Sequence, residues 1–312
     1  MEKRTNIILL GANGFIGRNL SQHFDSLNHQ FNLFKFKRNS LPGNDHYTYN
    51  QESLNELASG IGNETKTVII NAAYDSSNVF NNKKLIDFIE LACKTIKVSS
   101  VVHLSSISVY DGFDQLVLSP NFSDTKPVSL YGKIKLNLEK LLIHKLNGQN
   151  VNIWRLPNII GEGSSWTNYF EKLANAQKLF LPKAGTNHSM FLKISDFCEI
   201  VSSYVNQDTY SSTTSNLVEA TEIVLWKEMF MQYGFKGDIN HSNTNRFANS
   251  WKKDLILKVL SSDFFIYLLV NSKYFNSLIY SRLIGGAKAS STVVNEYYSE
   301  NTARLIQSVD FQ

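Results

Sequence analysis

The sequence predicts an α/β chain: a doubly wound parallel sheet with a smaller, partly interleaved C-terminal lobe. Three observations carry the prediction. Short β-branched or aromatic runs alternate with helical patterns through the first half, a glycine-rich turn joins the first strand to the first helix, and the rhythm changes after Gly161-Glu162-Gly163-Ser164-Ser165. At 312 residues with 43% apolar content, the chain can bury a full core and exceeds what one minimal nucleotide-binding domain needs.

In order, strands are expected at Asn6–Leu10, Phe31–Phe36, Thr67–Ile70, Val101–Leu104 and Val151–Trp154, each short and rich in strand-forming side chains. Helices are expected at Ile16–Leu27, Lys83–Lys94 and Leu130–Leu142, and Pro42-Gly43 and Gly60-Ile61-Gly62 read as loops. A dinucleotide-binding region is expected over 1–161, with a return to the sheet near 190–215 centred on Phe191–Ile194. Residues 162–312 are expected to form mainly a substrate-binding lobe of longer helices and polar loops such as Asn240–Asn249.

The net charge of +4, from 31 basic and 27 acidic residues without a run of like charge, gives no argument for nucleic acid and suits a small anion. Cys93 and Cys198 have neither disulfide-framework nor metal-ligand spacing, so no metal is expected and both read as buried thiols in a reducing compartment. The apolar run Ile7 to Leu10 is too short for a signal segment, and Phe264–Val270 is too short to span a membrane. A cytoplasmic chain without a transmembrane segment is the expectation.

The loop Gly11-Ala12-Asn13-Gly14-Phe15-Ile16-Gly17 spaces its glycines by three, after a predicted strand and opening a predicted helix. The first glycine permits the tight turn, the second lets backbone approach a pyrophosphate, and the third lets helix and strand pack closely. Amides at the helix N-terminus then face the anion. This is a Rossmann-type arrangement. Where an NAD enzyme would place an acidic residue at the end of the second strand, Lys37-Arg38-Asn39-Ser40 stands, and Lys37 and Arg38 suit a 2′-phosphate. NADP(H) is favoured, with NAD(H) the alternative.

Tyr131 and Lys135 lie four apart on a predicted helix and therefore share a face. A lysine ammonium and a cationic nicotinamide favour ionisation of a phenol, which suits Tyr131 to acid/base work, while Lys135 could also hold the nicotinamide ribose. Upstream, His103-Leu104-Ser105-Ser106-Ile107-Ser108-Val109-Tyr110 sets hydroxyls at a strand's C-terminal end, where Ser106 could stabilise charge on a reacting oxygen.

Together these motifs, with Asn71-Ala72-Ala73, Pro127-Val128-Ser129-Leu130 before Tyr131, and Arg155-Leu156-Pro157-Asn158-Ile159-Ile160-Gly161, resemble the extended short-chain dehydrogenase/reductase family over residues 5 to 200. Its nucleotide-sugar epimerases and reductases are the nearest match in type. The resemblance implies Ser106, Tyr131 and Lys135 as catalytic, Asn71, Ala72, Ala73 and Pro157 as cofactor contacts, and Ser108 and Asn158 as substrate contacts. It also implies a homodimer through the helices containing Lys83–Lys94 and Leu130–Leu142; Leu85, Ile86, Ile89, Leu138, Leu141 and Leu142 either supply its contact surface or pack on the sheet.

Ile107-Ser108 stands where 4,6-dehydratases of this family carry an Asp-Glu pair, and Ser108 where the GDP-fucose-forming epimerase-reductases carry cysteine. Ser189 stands where an arginine commonly clasps the substrate diphosphate, so Arg282 and Lys288, flanking Gly285-Gly286, are candidates for the compensating charge. The reading is an NAD(P)-dependent reductase of a nucleotide diphosphate sugar, most simply a 4-ketoreductase. A 4-epimerase and a non-catalytic dinucleotide-sensing protein are its rivals.

Overall fold

The structure, a computed structural model, describes residues 4–38, 46–61, 65–76, 78–113, 119–186, 188–217, 221–241 and 262–276. Pro42-Gly43, Arg282, Lys288 and most of Asn240–Asn249 lie outside the described residues. Contacts divide the chain into two units: Met1–Ser105, Leu138–Arg155 and Ile194–Ser215 form the first, and Ser106–Asn137, Leu156–Lys193 and Asn216–Gln312 the second.

In chain order the elements of the first part are β1 (Thr5–Leu10), α1 (Phe15–Ser26), β2 (Phe31–Lys37), β3 (His46–Thr48), α2 (Gln51–Gly60), β4 (Thr67–Asn71), α3 (Val79–Thr95) and β5 (Ser100–Ser106). They continue through α4 (Leu130–Lys145), β6 (Val151–Leu156) and, later in the chain, α6 (Ile194–Val205) and the last strand of the sheet, β10 (Thr213–Asn216). The seven strands run in the order β10-β6-β5-β4-β1-β2-β3, with β1 parallel to both β2 and β4 and β4 parallel to β5. All six residues of β1 are buried, which is why this strand reads as one apolar run and not as an alternating pattern. Ile7, Ile8, Leu9 and Leu10 have no exposed surface, and each such burial stabilises by about 1.5–3 kcal/mol.

Helix α1 buries Gly17, Leu20, Ser21 and Phe24, the i, i+3, i+4, i+7 stripe of an amphipathic helix, and packs with α6. Helix α2 is capped by Asn50, whose side chain accepts from the Ser53 amide, and packs with α3. Lys145 of α4 reaches Asp87 (3.0 Å) and Glu90 (2.5 Å) of α3, while Lys83 and Lys94 pair with the same two carboxylates along α3.

The second unit carries β7 (Asn158–Ile160), α5 (Ser165–Ala174), β8 (Lys178–Leu181), β9 (His188–Lys193), β11 (Glu222–Leu225), α7 (Trp226–Gln232), β12 (Asp238–His241) and α8 (Asp263–Asn271). Strand β9 pairs antiparallel with β11 and parallel with β7, and β12 runs parallel to β8. Its core is largely aromatic, with Phe170, Phe191, Trp226, Phe230 and Phe235 buried together. Helix α8 buries Phe265, Ile266, Leu269 and Val270, as expected for the apolar stretch there. Among the described residues no helix is long and apolar enough to cross a membrane.

Four expectations need correction. The stretch around Phe191 does not rejoin the main sheet: it is β9 of the three-stranded sheet, and β10 makes the return. The second part contains short strands besides helices, because its strands are three to six residues long and too brief to show a period. Gly60, read as the start of a loop, is the last residue of α2, a helix for which no expectation was made, and the helix is capped at Ile61. Finally, Leu85, Ile86, Ile89, Leu138 and Leu142 are buried inside the protomer and offer no contact surface to a second copy; only Leu141 among the six is half-buried.

Candidate active site

The glycine loop follows β1 directly. Gly11 has φ +82°, and a Cβ there would sit 2.7 Å from the Ala73 backbone, so both its conformation and the approach of the Ala72-Ala73 turn exclude a side chain. A Cβ on Gly17 would meet Gly11 O at 2.1 Å, whereas one on Gly14 would meet only that oxygen, at 3.4 Å. The outer glycines are thus required by packing, whereas a Cβ at the middle one would make only an ordinary contact. Asn13 and Gly14 are exposed, and Phe15 and Ile16 are half-buried. No side chain caps α1 and its first turn has no acidic residue, leaving its N-terminal field to an anion. These features fit a dinucleotide's pyrophosphate.

Asn71, the last residue of β4, accepts from the Ala73 amide (3.2 Å) through Oδ1 and donates to His103 Nδ1 (2.8 Å) through Nδ2. That pins the turn against which Gly11 packs. Tyr49, which sequence reasoning missed, accepts from the Gly11 amide (2.9 Å) and donates to Phe36 O (3.3 Å), with its ring stacked on Phe36 at 6.3 Å. Burial pushes its phenol above the usual tyrosine range against the opposing pull of the Gly11 amide and Arg38. Arg38, just past β2, is 62% exposed and its Nη2 lies 2.8 Å from Asp75 Oδ2, while Lys37 is half-buried.

In the second unit, Ser106, Ser108, Tyr131 and Lys135 come together. Ser106 ends β5 and leads into the 3-10 turn Ile107–Tyr110; its Oγ accepts from the Ser108 amide (3.2 Å) and donates to Ser108 Oγ (3.1 Å). Tyr131 lies in the first turn of α4, where Ser129 Oγ accepts from the Gly132 amide (3.0 Å). Gly132 is required: a Cβ there would be 2.2 Å from Ser108 O, so α4 can close on the serine turn only without a side chain. Asp111 ties the same parts together, accepting from the amides of Val128 (2.6 Å) and Ser129 (3.2 Å), and burial raises its carboxyl against the pull of those donors.

Tyr131 is hydrogen-bonded to Ser106, yet burial outweighs that bond and pushes the phenol up to about 12. Lys135 is buried, with Nζ 5.7 Å from the Tyr131 ring centroid. Among the protein's own groups, burial thus opposes the expected easing of Tyr131 toward phenolate and the Ser106 hydrogen bond favours it.

Pro157 is buried between β6 and β7. Asn158 donates to Ser189 Oγ at 3.0 Å, and Ser189 has no exposed surface, so its hydroxyl serves that sheet. Among the described residues there is no cluster of three metal-ligating side chains.

Sequence reasoning also missed a buried ionic clamp in the first unit. Arg155 Nη2 donates to Glu139 Oε2 at 2.7 Å and Nε to Oε1 at 3.2 Å, and the Ser105 hydroxyl donates to the same carboxylate. Ser105 precedes Ser106, Glu139 lies one turn beyond Lys135 on α4, and Arg155 precedes Pro157 by two residues.

Solved structures with the same fold include the dTDP-glucose 4,6-dehydratase of Bacillus anthracis in complex with NAD (TM-score 0.59, 18% identity, covering 80% of this chain and 83% of that one). The UDP-N-acetylglucosamine 4-epimerase of Bacillus cereus is similar (0.58, 19%, 88% and 96%), as is a dTDP-4-dehydrorhamnose reductase of Clostridium acetobutylicum (0.57, 18%, 78% and 85%). No curated protein matches the chain. The profile of the NAD dependent epimerase/dehydratase family matches residues 7–213, which hold the glycine loop, the serine turn, Tyr131 and Lys135, and the chain belongs to that family.

Proposed function

We propose that this enzyme is an NADP(H)-preferring reductase of a nucleotide-activated keto sugar, acting at the sugar's 4-position. The observation that carries the reading is the arrangement of Tyr131 in the first turn of α4, hydrogen-bonded to Ser106 and with Lys135 Nζ 5.7 Å from its ring centroid. A tyrosine is protonated at neutral pH, and one placed beside a second hydroxyl and a lysine can donate its proton to a carbonyl oxygen. The bound nicotinamide would supply the hydride to the carbonyl carbon. Tyr131 gives its proton to the oxygen, Ser106 hydrogen-bonds that oxygen as charge develops, and solvent returns the proton to Tyr131. Gly11 to Gly17 with Asn71, Ala72 and Ala73 hold the dinucleotide, Lys37 and Arg38 favour its 2′-phosphate form, and Lys135 and Pro157 hold the nicotinamide end.

Ser108 and Asn158 are the proposed sugar contacts, and residues 162–312 choose the substrate. The absence of an Asp-Glu pair at Ile107-Ser108 speaks against dehydration. Dehydratase, epimerase and reductase all occur among proteins of this fold. A 4-epimerase using the same residues is the second reading, and cofactor balance separates the two: a reductase consumes NADPH stoichiometrically with sugar, and an epimerase regenerates it.

The proposed setting is the cytoplasm, where both thiols stay reduced. A homodimer through α3 and α4 would use their ionic surface, Lys83, Asp87, Glu90, Lys94 and Lys145, together with the exposed Ile143 and half-buried Leu141, because Leu85, Ile86, Ile89, Leu138 and Leu142 are buried.

A further inference from the structure

Asp75 is a fixed charge that none of the sequence motifs uses. It lies four residues beyond Asn71 with 6% of its side chain exposed. Its Oδ1 accepts from the Asn78 amide at 3.0 Å and its Oδ2 from Asn81 Nδ2 at 2.8 Å. Asn82 clasps its backbone in both directions, at 2.7 and 2.9 Å. The carboxylate is thereby anchored at the N-terminus of α3, where a helix favours negative charge. Arg38 also reaches Oδ2, at 2.8 Å, from a side chain that is 62% exposed.

Strand β1 lies between β2 and β4, so an ion pair from the end of β2 to the loop after β4 spans the end of β1, where the glycine loop begins. The carboxylate is the immobile partner and the guanidinium the one free to swing. The end of the second strand is also where the adenosine ribose is read. We propose that Asp75 sets the dinucleotide preference of this chain by competing with the adenosine 2′-phosphate for Arg38. The inference rests on the cofactor reading above. A 2′-phosphate must compete for Arg38 with a carboxylate already paired to it, so part of the gain from the new charge pair is offset. A free ribose hydroxyl leaves the pair intact. Asp75 therefore narrows the preference for NADPH that Lys37 and Arg38 would otherwise give.

The test is direct titration of NADPH and of NADH into the full chain, followed by nicotinamide fluorescence, for wild type, Asp75→Asn, Arg38→Gln and the double variant. Asp75→Asn should tighten NADPH binding by about fivefold, the upper scale of an ion pair with an exposed partner, with NADH within about twofold. In the Arg38→Gln background the Asp75 change should have no effect. Weaker NADPH binding, equal shifts for both dinucleotides, or tightening that persists without Arg38 would overturn the inference. Arg38→Gln, at an exposed position, gives an independent reading should asparagine disturb α3. It should weaken NADPH by less than about tenfold, and a larger loss, the scale of an uncontested charged hydrogen bond, overturns the proposal. A wild type that binds neither dinucleotide sinks the cofactor reading and this inference with it, whereas one that binds both and ignores Asp75→Asn sinks only the inference.

Discussion

Arg155 Nε and Nη2 both hydrogen-bond the Glu139 carboxylate in the interior, with 5% and 2% of each residue exposed. A buried ion pair gains little over apolar packing, but breaking it leaves one uncompensated charge, at a cost of about 3–5 kcal/mol. Glu139→Gln should therefore lower unfolding stability on that scale in a urea titration. Ser105→Ala, which removes a single donor to the carboxylate, should cost less, about 1.5–3 kcal/mol. A loss below about 1 kcal/mol for Glu139→Gln would mean that water reaches the pair.

The same pair shows where sequence reasoning stopped. β1, the glycine loop, α1, Ser106 and the Tyr131–Lys135 spacing were legible because each is written within one local stretch. Glu139 reads locally as one more charge on a helix, and Asp75 and Tyr49 as loop residues, because their partners are 16, 37 and 38 positions away in sequence. The small sheets of the second unit were illegible because their strands are too short to display a period. Apolar α3 and α4 positions were open to two readings, surface or core, which only packing decides.

Alkaline pH should destabilise the fold. Burial raises Tyr49, Tyr131 and Tyr204 above the ordinary value of 10.0, with Tyr131 up to about 12. Above pH 10 the unfolded chain releases protons that the native chain still holds, so stability falls as pH rises through this window. A Tm series from pH 7 to 11 should fall beyond about pH 10, and less steeply in Tyr131→Phe. Parallel curves would contradict the burial account of Tyr131.

Acid should act through Glu90, which hydrogen bonds from Lys145 and then Lys94 hold down at about 2 from the ordinary 4.5. Its contribution is present above the unfolded value and lost as pH falls through the folded one. Glu90 is partly exposed, so the effect is small: Glu90→Gln should lower Tm slightly at pH 7, and the difference should vanish near pH 2. A difference that persists at pH 2 would rule out the ionic origin.

Both thiols should be unreactive in the native protein. Burial pushes Cys93 up to about 12 and Cys198 to about 11, so little thiolate exists at neutral pH. Maleimide labelling at pH 7.5 should be slow until denaturant is added. Rapid native labelling at either site would contradict this.

The most direct test of the central claim is a spectrophotometric assay at 340 nm with NADPH and a 4-keto nucleotide sugar, run on wild type and Tyr131→Phe. The account predicts stoichiometric NADPH oxidation by wild type. It predicts turnover reduced by about two to four orders of magnitude in Tyr131→Phe, with NADPH binding nearly unchanged, the effect of losing a positioned acid. Net sugar conversion without NADPH consumption, or near-wild-type turnover by Tyr131→Phe, would contradict it.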